Sequence, residues 1–161
     1  MMEIARKFDC TYINKRIVKI DNFSLIGLDG MPKRGDNFGW INDIPEIVNN
    51  FNDLTEYYSL EKLFKRLKNP NIFVSHAPPY GILDNPSPNN INLFSKLYKE
   101  SNIKNVGSYS VRKIVDNFSL DYHISAHTHL GGKISLKKGN KITKLINIGA
   151  AKDGNYKILE V

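Results

Sequence analysis

Two histidines placed two residues apart carry the clearest chemical signal in this chain of 161 residues. They are His127 and His129, and they follow the segment 122–125, whose apolar and β-favouring side chains predict a short strand. Side chains two residues apart in extended backbone point in the same direction, so both imidazoles are expected to project together from the strand end. Neutral imidazole binds transition metals well, which indicates a metal site. The alternative is two histidines that share a surface loop by chance.

A third histidine stands at the end of another predicted strand. The apolar run 71–75 is typical of a strand buried on both faces, and it ends at His76. The prolines that follow cannot continue a strand ladder, because they lack a backbone donor and fix φ. Open α/β sheets collect their ligands at the carboxyl ends of strands. We therefore expect His76, His127 and His129 to converge in one cleft.

Helices and strands alternate in the predicted elements that surround these histidines. Ser59 is predicted to cap a helix with apolar residues at helical spacing up to Leu67, and Ser108 is predicted to cap another. A weak helix is predicted over 45–52 and a further one over 91–100. The segment 31–40, with Phe38 and Trp40, reads as a loop. Strands are predicted over 12–20, 23–28, 133–137, 142–148 and 156–161. The pattern indicates an α/β fold over one domain, 1–161.

Composition narrows the class of protein. Hydrophobic residues at 41% and charged residues at 24% are typical of a globular domain, and the chain lacks an apolar run long enough for a membrane span or signal peptide. A cytoplasmic protein is expected, and the single cysteine excludes a disulfide within one chain. The net charge of +7 favours phosphate-bearing partners in a general way. The lysines are dispersed, which favours a solvated basic surface over a nucleic-acid groove.

Four segments together resemble a known family, the calcineurin-like metallophosphoesterases, and within it the small Icc-type branch. They occur in the family's order and are 75–84 (SHAPPYGILD), 105–112 (NVGSYSVR), 123–129 (HISAHTH) and 147–156 (NIGAAKDGNY). The resemblance implies a layered β-sandwich flanked by helices, with a dinuclear metal centre at one end. It implies hydrolysis of phosphomonoesters or phosphodiesters.

The resemblance also implies ligands. By the family's motifs, His76 and His127 bind one divalent transition metal (Mn, Fe, Ni or Zn), and His129 binds a second. Two such cations about 3.5 to 4 Å apart can polarise a phosphoryl group and hold a hydroxide for in-line attack. The implied partner is a phosphate ester.

The chain departs from the family pattern in its amino-terminal part. The motifs Asp-x-His, Gly-Asp-x-x-Asp and Gly-Asn-His, which supply the bridging aspartate, an asparagine ligand and a histidine that assists the leaving group, are absent. Ala126 also replaces the usual glycine before His127. We therefore expect the fold to lack the first β-α-β units and the site to hold two metal ions, one or none. Candidate replacement carboxylates are Asp29, Asp36, Asp84 and Asp153, although acidic residues in such loops are more often turn formers.

Three functions remain open at this level. The first is a phosphoesterase, or the carboxyl-terminal half of one, with its missing ligands supplied by a complementing chain. The second is an inert binding or regulatory module, and the third is a basic nucleic-acid-binding protein. Missing strands would leave an exposed sheet edge, so a homo-oligomer or partner subunit is expected. His123 is expected to be packed or hydrogen-bonded, and Ser108 and Arg112 are better explained by capping and an ion pair than by phosphate binding.

Overall fold

A mixed sheet of six strands organises the part of the chain that the computed structural model describes, which is residues 11–33, 50–67, 71–98 and 101–149. The strands are β1 (Ile17–Ile20), β2 (Phe23–Leu28), β3 (Met31–Lys33), β4 (Asn50–Asn52), β5 (Asn71–Ser75), β6 (Tyr122–Ser125), β7 (Gly132–Lys138) and β8 (Lys141–Asn147). The sheet order is β1-β2-β5-β6-β8-β7. Strands β2, β5, β6 and β8 are parallel, while β1 and β7 pair antiparallel at the two edges. Strands β3 and β4 form a separate parallel pair.

Three α-helices accompany the sheet in this part of the chain: α1 (Asp53–Phe64), α2 (Ile91–Tyr98) and α3 (Tyr109–Asn117). A short 3-10 turn, Pro88–Asn90, precedes α2. The chain is therefore an α/β protein, as its alternating pattern predicts. Within the described residues, no helix is long and apolar enough to cross a bilayer.

The main core lies between the sheet and helices α1 and α3. Alternate residues of the parallel strands point to this side, and they meet apolar residues at helical spacing on the two helices. The fully buried members are Ile26, Leu28, Leu60, Phe64, Phe73, Val111, Ile114, Val115, Leu120 and Leu145. A second cluster holds α2 in place and consists of Phe94, Leu97, Tyr98, Ile103 and Val106.

Several predicted elements are confirmed. Strand β6 spans the predicted residues, and β1 and β2 form the predicted hairpin around Asp21. Ser108 caps α3, because its hydroxyl accepts a hydrogen bond from the Val111 amide at 3.1 Å. The residues Phe38 and Trp40 and the predicted strand 156–161 lie outside the described residues.

Three predictions at the amino-terminal side of α1 are wrong. Ser59 is an interior residue of α1, because the helix begins at Asp53, well before the apolar stripe that suggested a cap. Residues 50–52 form a strand instead of the end of a weak helix, and 31–33 form a strand instead of a loop. The two short strands pair with each other. This pairing supplies hydrogen bonds that outweigh the weak helical preference of an asparagine-rich segment. The remainder of the expected helix, 45–49, lies outside the described residues.

Phe73 is the central side chain of the main core, and its removal should be costly. It is fully buried, and its ring meets those of Phe64 and His123 at centroid distances of 5.1 and 5.2 Å. We expect Phe73→Ala to lower the free energy of unfolding by about 3–5 kcal/mol in urea denaturation, because it leaves a large cavity. Tyr58→Ala is the control, since that ring is 64% exposed, and it should cost less than about 1 kcal/mol. Equal losses in the two variants would contradict this description of the core.

Candidate functional site

Strands β5 and β6 bring two histidines to the same edge of the sheet. The strands are adjacent and parallel, with Val74 level with Ile124, so their carboxyl ends coincide. His76 directly follows β5, and its carbonyl oxygen accepts a hydrogen bond from the Ala126 amide at 3.0 Å. The His76 amide in turn donates to Leu28 O of β2 at 3.1 Å. The backbone is thus fixed on both sides of His76.

His76 and His127 face each other through their ring nitrogens. His76 Nε2 lies 3.1 Å from His127 Nδ1, and the ring planes are inclined by 67°. Two neutral imidazoles at this distance share one proton, with one nitrogen donating and the other accepting. The same separation also suits a shared metal ion. For two nitrogens each about 2.05 Å from zinc, 3.1 Å corresponds to an N–metal–N angle of about 100°. This donor pair therefore fits a transition metal.

The surroundings of His76 favour its neutral imidazole, which is the form that binds metals. Part of the His76 ring reaches solvent, but protein atoms on its inner side remove hydration, and this desolvation lowers the His76 pKa. The Asp29 carboxylate raises that pKa and His129 lowers it further, both to a smaller extent than burial. His127 is 5% exposed, and the edge of its ring meets Phe94 of α2 at a centroid distance of 4.9 Å.

His127 and His129 lie on a loop after β6, as predicted, but the expectation that extended backbone turns both side chains in one direction is wrong. Both residues are left-handed, with φ of 67° and 60°, and they sit on a bent loop. Side chains on such a loop do not obey the alternation of a strand. His129 is near enough to act electrostatically on His76. However, within residues 11–33, 50–67, 71–98 and 101–149 no group of three or more His, Cys, Asp or Glu side chains is arranged to hold a metal ion. The described site is a pair of histidines.

His123 has a structural role, as expected. Its Nε2 lies 2.8 Å from Ser75 Oγ, and that hydroxyl donates its own proton to Ala77 O at 2.6 Å. His123 must then donate from Nε2, which fixes its neutral tautomer. Complete burial lowers the His123 pKa from 6.5 to about 3. By holding Ser75, His123 supports the residue that precedes His76.

The candidate carboxylates differ in what they can do. Asp29 follows β2 and lines the same cavity as His76, so it is the described carboxylate best placed to act on the pair. Asp84 is 1% exposed, and its oxygens accept hydrogen bonds from the Gly81 amide, the Asn105 side chain and the Gly107 amide. It therefore fastens the loop after His76. Asp36 and Asp153 lie outside the described residues.

A cavity of about 320 Å³ opens beside His76 at the ends of β2, β5 and β6. Asn14 and Asp29 contribute polar groups to it, and Val74, Ile124 and Ile148 contribute apolar ones. Asn14 Oδ1 accepts a hydrogen bond from the Asp29 amide at 3.0 Å, which ties the residues before β1 to the end of β2. Sequence reasoning missed Asn14, since a lone asparagine inside a predicted strand carries no signal.

Ser108 and Arg112 have the expected non-catalytic partners. The Ser108 hydroxyl caps α3. Arg112 Nε donates to Asp116 at 2.8 Å, and its Nη1 donates to Tyr80 O at 3.0 Å. Both side chains are thus engaged in local structure.

Comparison with known proteins locates the chain within longer relatives. No protein-family model matches it. It is 32% identical over 133 residues to the uncharacterized protein MJ1162 of Methanocaldococcus jannaschii, an alignment that covers 81% of this chain and 50% of that protein. The chain therefore spans about half the length of the curated relative it matches.

Two solved structures share its fold. One crystal structure superimposes with a TM-score of 0.62 at 17% identity, covering 95% of this chain and 51% of the other. The second is TT1561 of Thermus thermophilus, with a TM-score of 0.53 at 14% identity, covering 88% and 51%. At these identities the likeness concerns the fold alone. In each match, nearly all of this chain corresponds to half of a larger protein.

The buried His123 predicts a pH dependence of stability. Its native pKa of about 3 lies below the ordinary 6.5, so only the unfolded state takes up this proton between those values. The His123 contribution to stability is therefore full above pH 6.5 and is lost as pH falls toward 3, at about 1.4 kcal/mol per pH unit. We expect His123→Phe to show a flatter decline in urea-unfolding free energy between pH 6.5 and 5 than wild type. Parallel declines would contradict the neutral, buried assignment.

Proposed function

We propose that this chain is the histidine-bearing half of a metal-dependent phosphoesterase that resembles the calcineurin-like metallophosphoesterases. The observation that carries the proposal is the 3.1 Å approach of His76 Nε2 and His127 Nδ1 at two neighbouring strand ends. The proposed substrates are phosphomonoesters or phosphodiesters, and the proposed cofactor is Mn, Fe, Ni or Zn. The net charge of +7 supports attraction of an anionic substrate.

Each residue of the histidine site has a proposed role in binding the metal ion. When bound, the metal would supply Lewis acidity and a water of lowered pKa. His76 and His127 would hold it through the two nitrogens that face each other, and desolvation already favours the neutral form of His76. Phe94 covers the inner side of His127 and excludes water there. Asp29, close to His76, would offset part of the cation's charge, and His129 would reach a second ion.

A layered arrangement supports the idea of a half-site. The strand residues that alternate with the core side chains point to the sheet face opposite α1 and α3. Ile72, Val74, Ile124 and Ile146 form an apolar, buried or half-buried group there, beside Tyr122 and the exposed Lys144. Parallel sheets are generally covered on both faces. We propose that a second β-layer packs there, and that it carries the missing carboxylate and histidine. A complementing chain, a second copy or additional polypeptide would provide it.

A second candidate function is a binding or regulatory module without catalysis. The specific observation in its favour is that the described residues bring together two histidines and no third ligand. Such a module would bind at most one metal ion per chain and would not hydrolyse phosphate esters.

Metal binding tests the proposal through His76 and His127. We expect purified protein to bind Mn or Zn, and His76→Ala and His127→Ala each to weaken binding at least about 100-fold by calorimetry, because each removes half of the donor pair. Tyr58→Ala is the control variant, since that ring is exposed on α1, and it should retain affinity. Circular dichroism checks folding in each case.

Hydrolysis separates the two candidates. Turnover of an aryl phosphodiester that requires added manganese and disappears in His127→Ala would establish the enzyme and exclude the inert module. Metal binding by the histidine pair without any turnover, even when the polypeptide that carries the missing carboxylate and histidine is added, would favour the module. Affinity unchanged in both alanine variants would contradict both functions, because both rely on the pair.

A further inference from the structure

The side chain of Asn147 joins the two loops that carry the histidine pair. It lies fully buried at the carboxyl end of β8. Its Nδ2 donates two hydrogen bonds, one to Leu83 O at 2.9 Å and one to Thr128 Oγ1 at 2.8 Å. Its Oδ1 accepts from the Gly149 amide at 3.0 Å. A primary amide has two N–H donors, so both are used.

Each acceptor of Asn147 belongs to a different histidine loop. Leu83 closes the segment that begins at His76 and is fastened by Asp84. Thr128 stands between His127 and His129 and is completely buried. One amide group therefore connects the loop of His76 to the loop of His127. Because Leu28 and Ala126 already hold the backbone of His76, the approach of the two imidazoles depends on where the loop of His127 lies.

The backbone around these acceptors is strained. Leu83, His127 and His129 are all left-handed, with φ of 53°, 67° and 60°. This conformation is unfavourable for a residue with a side chain, and it persists only where surrounding contacts fix it. The three strained residues are Leu83 itself and the two neighbours of Thr128. The two hydrogen bonds that Asn147 donates are therefore made to the strained residue Leu83 and to Thr128, which lies between two strained residues.

Apart from its amide, which donates to Ala126 O at 2.8 Å just beyond β6, Thr128 has its other hydrogen bonds to loop residues. Its hydroxyl has longer contacts with Leu130, at 3.3 Å to the carbonyl oxygen and 3.4 Å to the amide. Its carbonyl oxygen accepts from the Ser87 amide at 3.0 Å, which is also a loop residue. Of these contacts to the hydroxyl, the 2.8 Å bond from Asn147 is the shortest, and it comes from a strand.

We propose that Asn147 is the positioning residue that sets the separation between His76 and His127, and that it acts through the hydrogen bond accepted by the Thr128 hydroxyl. The consequence for metal affinity rests on the proposed function. The positioning itself concerns the metal-free protein. It predicts that loss of either bond lets the loops relax and the rings separate, while the sheet remains folded.

The test compares matched buried variants by nuclear magnetic resonance of metal-free protein at one fixed pH. Asn147→Ala and Thr128→Val remove the bond from opposite ends, and Thr128→Ser restores the hydroxyl. Thr143→Val is the control, because Thr143 is equally buried on β8 and its hydroxyl donates to Leu120 O at 2.7 Å, away from the pair. The ring centroids of His76 and His127 lie 4.9 Å apart, so an inter-ring Overhauser effect is expected in wild type.

We expect this Overhauser effect to be lost in Asn147→Ala and Thr128→Val and kept in Thr128→Ser and Thr143→Val. Its retention in folded Asn147→Ala or Thr128→Val would overturn the proposal. If Asn147→Ala does not fold, the valine and serine variants at Thr128 decide. Loss of the effect in Thr143→Val as well would also overturn it, since general destabilisation would then explain every variant.

A cobalt titration separates this inference from the proposed function. We expect cobalt affinity to fall at least tenfold in Asn147→Ala and Thr128→Val and to remain within twofold in Thr143→Val. Wild type that shows the inter-ring effect but binds no cobalt would defeat the metal-dependent function and leave the positioning role intact. Unchanged cobalt affinity together with an unchanged inter-ring effect in the two variants would overturn the positioning role.

Discussion

The neighbouring parallel strands β5 and β6 end at the same level of the sheet, and this arrangement places the histidine pair. Parallel pairing of β5 with β6 brings His76 and Ala126 to one level, and the hydrogen bond from Ala126 N to His76 O closes the sheet at that edge. Each of the two strands is followed by a loop at the same end of the sheet. Two imidazoles that are 51 residues apart in sequence can meet at 3.1 Å because of this arrangement.

Buried side chains on the sheet face that packs against α1 and α3 hold the ends of β5 and β6 in place. Phe73 and His123 lie side by side on β5 and β6, facing α1 and α3. His123 holds Ser75, the last residue of β5, through a hydrogen bond that fixes its own tautomer. The main core and the site are therefore coupled through neighbouring residues on two strands. A neutral, buried histidine is tolerated here because its one N–H has a partner and its charged form is not required.

The sequence predicts the ends of β5 and β6 and the approach of His76 to His127, but it does not predict the backbone conformation of the loop that carries His127. Strand β6 and the stop after β5 are encoded locally, by β-favouring side chains and by Pro78 and Pro79. The left-handed backbone of His127 and His129 is only weakly encoded locally, because histidine adopts it more often than most residues but still in a small minority of cases. It depends on Thr128 and Asn147, which are 19 residues apart and meet only in the folded state. Asn14 near Asp29 was missed for the same reason.

Anomalous diffraction from crystals grown with manganese would show whether His76 and His127 hold a metal ion between them. We expect an anomalous peak between His76 Nε2 and His127 Nδ1, within about 2.3 Å of both nitrogens. A crystal at saturating manganese in which the two nitrogens remain at hydrogen-bond distance, with the metal elsewhere or absent, would contradict this expectation.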